Sequence, residues 1–230
     1  SHEGAADAED MDMHRAILGA ASETPATGWS RMASVNTQEI AAAAAQMVVE
    51  EGLEYGPAKR RALRHLGLPP RTPLPGNDEV EDAVREYIAV FCADTQPAEL
   101  QALRHLALLW MERLERFRPH LSGAVWHGTA TRLSDIYLQL FCEDEKSAEI
   151  ELIDQGVAYE PRTVTGLHRE PVEALSFHAP CRELGETIGV HLMIHDLDDL
   201  RGALLRDSKN RTPRGDLSAV RRLLSEIENR

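Results

Sequence analysis

The residues best suited to chemistry lie in the stretch HLSGAVWHGTATRLSDIYLQLF, which covers residues 120–141. Its apolar runs predict one strand over AVWHG and a second over IYLQLF, joined by a turn that contains Gly128. Turns of this kind bring phosphate groups close to carboxylates at the start of the next strand. Carboxylates two positions apart on a strand point to one face and can share a metal ion. Here Asp135 takes the first of those positions and Tyr137 the second.

The elements that would position this motif fall into a helical part and a mixed part. Apolar residues at helical spacing predict about four helices, the first beginning near Asn36 or Thr37 after a short helix at 13–21. Strand-like runs follow Pro119. The predicted fold class is α+β, an N-terminal α-helical bundle followed by a mixed β-sheet with flanking helices. The predicted units are a flexible segment at 1–35, an α-helical domain at 36–118, an α+β domain at 119–206, and a linker with a C-terminal helix at 207–230.

The composition restricts the classes of function. The formal charge is -13, from 38 acidic and 25 basic residues, and such a chain repels a polyanion, which argues against nucleic-acid binding. Three scattered cysteines make no disulfide framework and no CxxC pair, and they indicate a reducing compartment. Without a long apolar run or a secretory signal, the sequence predicts a cytoplasmic protein with no membrane span. The absence of GxxxxGK[ST] and GxSxG argues against a P-loop ATPase and a nucleophile elbow.

The order of these residues and elements resembles the nucleotidyltransferase fold of the DNA polymerase β superfamily. It is most similar to the small bacterial minimal nucleotidyltransferases of that superfamily. In the family a Gly-Ser ends the first strand, an Asp-x-Asp opens the next, and a third carboxylate lies on a later strand. The corresponding residues here are Gly123 and Ala124, the run 128–134, the segment 135–137, and His191. The resemblance covers about residues 115–206.

The resemblance implies nucleotidyl transfer assisted by magnesium or manganese ions, which neutralise the triphosphate. It assigns phosphate or nucleotide binding to Gly123, Ala124, Gly128, Thr129, Arg132 and Ser134. It assigns catalysis and metal binding to Asp135. However, Ala124, Tyr137 and His191 stand where the family has a serine and two further carboxylates. One carboxylate beside an imidazole is a poor magnesium site. We therefore expect Tyr137 to fill the cleft, and the protein to be catalytically degenerate and to bind a nucleotide or a protein partner.

Two further hypotheses stay open. An active metal-dependent nucleotidyltransferase would use Asp135 with displaced carboxylates such as Glu149 and Glu151. Alternatively, His191 and His195, four positions apart on a predicted strand, would join Asp135 in a site for zinc or another transition metal, or would be buried histidines bonded to the backbone. A non-catalytic interaction module would use the helical bundle and the C-terminal helix to form a homo-oligomer.

Overall fold

The computed structural model describes residues 28–167, 170–206 and 210–228. Its α-helices are α1 (Gly28–Glu51), α2 (Tyr55–His65), α3 (Asn77–Phe91), α4 (Gln96–Arg113), α5 (Gly123–His127), α6 (Lys146–Asp154), α7 (Leu200–Ala203) and α8 (Leu217–Glu228). Its β-strands are β1 (His120–Ser122), β2 (Ile136–Cys142), β3 (Glu160–Thr165), β4 (Pro171–Cys181), β5 (Glu186–Asp196) and β6 (Arg214–Asp216). The predicted helix at 13–21, and most of the segment at 1–35 predicted to be flexible, lie outside the described residues.

Helices α1, α2 and α3 form a small bundle around an apolar cluster of their own, the helical core. Its buried members are Ile40, Ala41, Ala44, Ala45, Met47, Val49, Ala58, Ala62, Leu63, Val80, Val84 and Ile88. Helix α1 begins at Gly28 and not at the predicted Asn36 or Thr37. The preference of Asn and Thr for a helix start is a weak local signal, so it does not by itself fix where the helix begins.

The second half of the chain forms a sheet with the strand order β3-β4-β5-β2-β1-β6 among the described residues. The central strands β2 and β5 run parallel, and all other neighbouring pairs are antiparallel. Helices therefore precede a mixed sheet along the chain, which confirms the predicted α+β class. Within the same ranges, no helix is both long and apolar enough to cross a membrane.

One face of the sheet carries the larger apolar cluster, the sheet core. Its centre is a row of fully buried leucines that are neighbours in the strand register: Leu121, Leu138, Leu192 and Leu175. Helices α4 and α8 pack on this face and contribute Trp110, Met111, Val220 and Leu224 to the cluster. Because a row of leucines on one sheet face must be covered to be removed from water, these helices are held to the sheet by burial.

The division between the two cores differs from the predicted domain boundaries. Helix α4 packs with the sheet, although it lies inside the segment 36–118 that was predicted as one helical domain. The segment 207–230, predicted as a linker and a helix, contributes β6 and α8 to the sheet unit. The apolar face of α8 is buried inside the chain through Val220 and Leu224, so that face is not free for the predicted oligomer contact.

The prediction of a strand over AVWHG is wrong. The strand before the turn is β1, and the first four residues of AVWHG belong to the short helix α5, which Gly128 ends. The chain turns at Gly123, whose φ of +69° is a conformation that glycine adopts without steric cost. Trp126 then packs over Gly215, where an added Cβ would lie 2.2 Å from the indole ring, and its Nε1 donates to the carbonyl of Thr212 at 2.8 Å. These long-range contacts override the local strand propensity of Val and Trp.

The face opposite the leucines carries a line of polar side chains, the polar row. Its members are neighbours in the strand register, in the order Glu160, Ser176, His191, Tyr137, Ser122 and Arg214. Successive residues of a strand point to opposite faces, so a row of leucines on one face leaves the alternate positions for polar residues on the other. The polar row crosses all the strands named above and positions the candidate site.

Candidate functional site

A cleft of about 590 Å³, the motif cleft, lies where the helical bundle meets the polar row. The α1–α2 loop and the first turn of α3 line it from one side, and the ends of β1 and β2 line it from the other. The lining includes Val48, Gly52, Leu53, Glu54, Tyr55, Asn77, Asp78, Glu81, Ser122, Gly123, Ala124, His127, Leu133, Ser134, Asp135, Tyr137 and Met193. The cleft therefore lies between two units whose apolar cores share no residue.

The structure brings five of the residues singled out in the sequence together in this cleft. They are Gly123, Ala124, Ser134, Asp135 and Tyr137. The turn before Asp135 is held by two contacts between Thr131 and Ser134: the backbone N–H of Ser134 donates to the Thr131 carbonyl at 2.8 Å, and the Thr131 N–H donates to the Ser134 hydroxyl at 3.0 Å. This turn delivers Asp135 to the start of β2.

The other three residues predicted to bind phosphate do not line the cleft. Gly128 has a φ of +83° and ends helix α5. Thr129 is buried, with 3% of its surface exposed. Arg132 lies outside the cleft and forms an ion pair with Glu186. The glycine, threonine and arginine of the motif therefore shape and brace the turn.

Asp135 is anchored from two directions. Its Oδ2 accepts a hydrogen bond from His191 Nε2 at 3.1 Å, and the backbone N–H of Gly189 donates to the same carboxylate. The hydrogen bond from His191 lowers the pKa of Asp135; burial opposes this effect, and the Gly189 N–H adds to the lowering. A Cβ at position 189 would lie 2.5 Å from Asp135 Oδ1. A glycine is therefore required at position 189 for the carboxylate to lie over β5.

His191 connects Asp135 to a serine that the sequence pattern did not single out. Its Nδ1 lies 2.9 Å from the hydroxyl oxygen of Ser176 on β4. Its ring stacks on Tyr137, with the ring centroids 4.8 Å apart and an angle of 27° between the planes. Strand register sets Ser176 opposite His191, and the pairing of β2 with β5 begins at Ile136 and Val190, beside Asp135 and Gly189. The sequence alone does not reveal this register.

Tyr137 joins the sheet to the helical bundle across the cleft. Its hydroxyl donates to Glu54 Oε1 in the α1–α2 loop at 3.1 Å. Burial raises the pKa of Tyr137 well above its ordinary value, and the negative charge of Glu54, the hydrogen bond to Glu54 and the charge of Asp135 raise it further. The phenol therefore stays protonated and keeps its donor at neutral and moderately alkaline pH.

Replacing Tyr137 with Phe is expected to lower the free energy of unfolding by about 1 kcal/mol, because one hydrogen bond between the two units is lost while the ring remains. Urea denaturation of Tyr137→Phe, Glu54→Gln and the double variant measures the coupling between the two side chains. If the two single changes were simply additive in the double variant, the hydroxyl and the carboxylate would not interact, and this contact would be absent in solution.

Of the three predicted metal ligands Asp135, His191 and His195, only Asp135 and His191 contact each other. His195 is 2% exposed and stacks on Phe141, with the ring centroids 5.5 Å apart. Across the described ranges, no group of three or more His, Cys, Asp or Glu side chains is arranged to hold a metal ion. The Asp135 and His191 side chains instead satisfy each other by a hydrogen bond.

Glu149 and Glu151, the carboxylates considered as replacements for the missing metal ligands, lie on α6 and are each bonded to other residues. Glu149 accepts a hydrogen bond from the Tyr159 hydroxyl at 2.7 Å and pairs with Lys146 at 2.9 Å. Glu151 pairs with Arg116 at 3.0 Å. Neither residue lines the motif cleft.

The charge of the cleft is negative. Four carboxylates line it, those of Glu54, Asp78, Glu81 and Asp135, and no residue of its described lining is a lysine or arginine. Two arginines compensate two of these carboxylates: Arg211 pairs with Asp78 at 3.2 Å and with Glu81 at 2.9 Å, and Arg85 pairs with Glu81 at 2.6 Å. The remaining charge, from Glu54 and Asp135, disfavours a free triphosphate and favours a neutral or cationic group.

The comparisons with known proteins leave the family of this chain open. No protein-family model matches the chain, and no curated protein matches it either. The chemistry of the motif cleft therefore has to follow from its residues: one anchored carboxylate, an imidazole bonded to it, and a tyrosine that spans the cleft.

Proposed function

We propose that the protein is a nucleotidyltransferase-like binding protein whose motif cleft holds a nucleoside or nucleotide without metal-dependent nucleotidyl transfer. The observation that carries the proposal is the position of Tyr137, together with its contacts and its protonated hydroxyl. Tyr137 stands where the resemblance expects the second metal-binding carboxylate, its hydroxyl bonds to Glu54, and its ring stacks on His191. A phenol that stays protonated cannot replace a carboxylate as a magnesium ligand.

The neighbours of Tyr137 support the same conclusion. His191 lies directly opposite Tyr137 on the parallel strand β5, where the resemblance expects the third carboxylate. Its Nε2 bonds to Asp135, so the space in which two ions would bridge carboxylates is taken up by a hydrogen-bonded imidazole. Two-metal transfer requires oxygen ligands on both ions, and Asp135 alone does not supply them.

The walls of the cleft favour the organic part of a nucleotide. Tyr55, Leu53 and Leu133 give it aromatic and apolar surface, and Tyr137 lies beside the turn at Gly123. All four nucleobases can stack on aromatic side chains, and such stacking contributes about 1–3 kcal/mol per base to binding. Because Glu54 and Asp135 repel phosphate, the base and sugar would enter the cleft and any phosphate would remain towards solvent.

The test is a thermal-shift titration with the four common ribonucleosides and their triphosphates, with and without magnesium. At least one nucleoside is expected to raise the melting temperature without metal, because a ligand that binds only the folded state stabilises it by mass action. The matching triphosphate with magnesium is expected to give no larger shift. Tyr137→Ala should abolish the shift, while Tyr159→Phe, which changes a tyrosine on another face, should preserve it.

Two outcomes would overturn the proposal. A shift that requires triphosphate and magnesium together, with transfer of a labelled nucleotidyl group that Asp135→Ala abolishes, would establish the active-enzyme hypothesis. The lack of a shift with any nucleoside or nucleotide would remove the ligand class and leave a protein partner as the ligand of the cleft.

A further inference from the structure

Three side chains of the polar row and its entrance form a hydrogen-bonded series. Ser176 on β4 lies 2.9 Å from Nδ1 of His191 on β5, and Nε2 of His191 lies 3.1 Å from Oδ2 of Asp135 before β2. Asp135 carries a negative charge and can only accept, so Nε2 carries the proton and Nδ1 accepts from the serine hydroxyl. A nucleophile bonded to a base, which is oriented by a third group, is the arrangement that activates serine.

From this geometry we propose that Ser176, His191 and Asp135 form a catalytic triad, in which Ser176 is the nucleophile for small carboxylic esters. The proposal goes beyond the binding function of the motif cleft, since it assigns a reaction to Ser176, which is not among the residues that line the cleft, although Asp135 belongs to both. The serine lies within a strand and not on a nucleophile elbow, and for that reason a search for GxSxG does not detect it.

Neighbouring residues hold His191, the base of this triad, and Asp135, its acidic member, in place. The Gly189 N–H donates to Asp135, and the missing side chain of Gly189 leaves room for the carboxylate. The ring of Tyr137 lies against the imidazole at 4.8 Å and fixes its plane. Preorganised neighbours of this kind reduce the entropy lost when the reacting groups are aligned.

The serine end of the triad lies on an open part of the sheet. Ser176 is partly exposed, and the side chain of His191 keeps 21% of its surface exposed. Arg162 on the neighbouring strand β3 faces the same side and carries its guanidinium 3.1 Å from Glu160, which is the register partner of Ser176. Because this ion pair has no net charge, the activation of Ser176 depends on His191 as the base and on Asp135 as its partner. Because Ser176 is partly exposed, a small carboxylic ester can approach its hydroxyl from solvent.

The reaction balances with water as the second reactant. The Oγ of Ser176 attacks the carbonyl carbon of the ester, and its proton moves to Nδ1 of His191. The bond from carbon to the alkoxy oxygen breaks, and the alcohol leaves with that proton, so that an acyl-serine remains. Water then attacks the acyl-serine with the same help from His191, which releases the carboxylic acid and restores the hydroxyl.

The test uses the full chain and a fluorophosphonate probe, read out by intact mass and peptide mapping. The Ser176 oxygen bonds to phosphorus, the phosphorus–fluorine bond breaks, fluoride leaves, and the serine proton passes to His191. A single adduct on Ser176 is expected. His191→Gln is expected to slow its formation by about 10²-fold, because a positioned base contributes at least that much. Asp135→Asn should slow it as well, since the imidazole loses its charged partner.

Control variants distinguish a loss of Ser176 activation from a loss of the folded structure. Ser176→Ala should remove the adduct, whereas Ser147→Ala, which changes a serine of α6 that bonds to the Asp144 carbonyl, should leave it unchanged. The melting temperature of each variant shows whether it is folded, and the pH profile of labelling in the unaltered chain tests the base without any substitution. No adduct, an adduct on another residue, or labelling of Ser176 at the same rate in folded His191→Gln would each overturn the triad.

Discussion

Replacing Glu81 with Gln is expected to lower the free energy of unfolding by about 2 kcal/mol, because the neutral amide loses the charge-assisted hydrogen bonds that this buried carboxylate accepts. Glu81 lies on α3 and is 4% exposed. Its Oε1 accepts from Arg85 at 2.6 Å and from Arg211 at 2.9 Å, and its Oε2 lies 3.0 Å from Nδ1 of His127. A single carboxylate thus joins the helical bundle to α5 and to the segment before β6.

The same residue sets a pH dependence. Burial alone would raise the pKa of Glu81, but hydrogen bonds from His127 and Arg85 and the charges of His127 and Arg211 outweigh it and lower the pKa from 4.5 to about 2. The unfolded chain therefore binds the proton at a higher pH than the folded chain does. The stability from this group is complete above pH 4.5 and is lost as the pH falls towards 2.

Urea denaturation at neutral pH and through the acid range measures both effects. The unaltered protein should lose stability below pH 4.5 more steeply than Glu81→Gln, which has no group to protonate at this position. Glu86→Gln is the matched control, because Glu86 lies exposed on the same helix. Equal stability of Glu81→Gln and Glu86→Gln would show that the buried carboxylate does not join the two units.

Gly189→Ala is expected to displace Asp135 and to cost about 2 kcal/mol, because a methyl group is forced into occupied space. The new Cβ would lie 2.5 Å from Asp135 Oδ1 and 2.7 Å from its Cγ. The carboxylate would then lose its hydrogen bonds to His191 and to the backbone N–H of position 189. Since those bonds lower the pKa of Asp135, its pKa should rise towards the ordinary 3.8.

Carboxyl-carbon NMR of the two proteins reports the pKa of Asp135, and urea denaturation reports the stability. Gly56→Ala serves as the control, since its Cβ would meet only the flexible end of Arg60 at 3.5 Å. That change should leave the stability equal or slightly higher, because alanine is the better helix former. An unchanged pKa of Asp135 in Gly189→Ala would mean that the carboxylate does not lie over β5.

The fold follows from local patterns to a large extent, because apolar spacing is a local property. The leucines of the sheet core and the apolar residues of α1–α3 alternate at strand and helix periods, and these periods predict the α+β class. The prediction of a strand over AVWHG was wrong for a non-local reason, since this segment forms a helical turn in which Trp126 packs over Gly215. The packing of α4 on the sheet is also non-local, because the helix covers the leucine face.

Only those residues of the candidate site that are close together in the sequence could be predicted. The turn, Asp135 and Tyr137 are contiguous in sequence, and the structure brings them to one cleft. Their partners are remote: Glu54 lies 83 positions from Tyr137, and His191 lies 56 positions from Asp135. Ser176 enters through the pairing of β4 with β5, and Gly189 lies beside Asp135 at the start of the pairing of β2 with β5; strand register is a property of the whole sheet. The nucleotidyltransferase resemblance itself stays a prediction.

The separation of the helical core from the sheet core bears on how a ligand reaches the motif cleft. The two clusters share no residue, and the contacts that cross the cleft include the Tyr137–Glu54 hydrogen bond and the ion pairs of Glu81 and Arg211. When the two units separate, water can form hydrogen bonds with the polar groups that lose their partners. Separation through an apolar core would instead expose apolar surface to water, which is unfavourable. Each unit can therefore act as its own cooperative unit of opening, and the entrance can widen at a cost well below that of global unfolding.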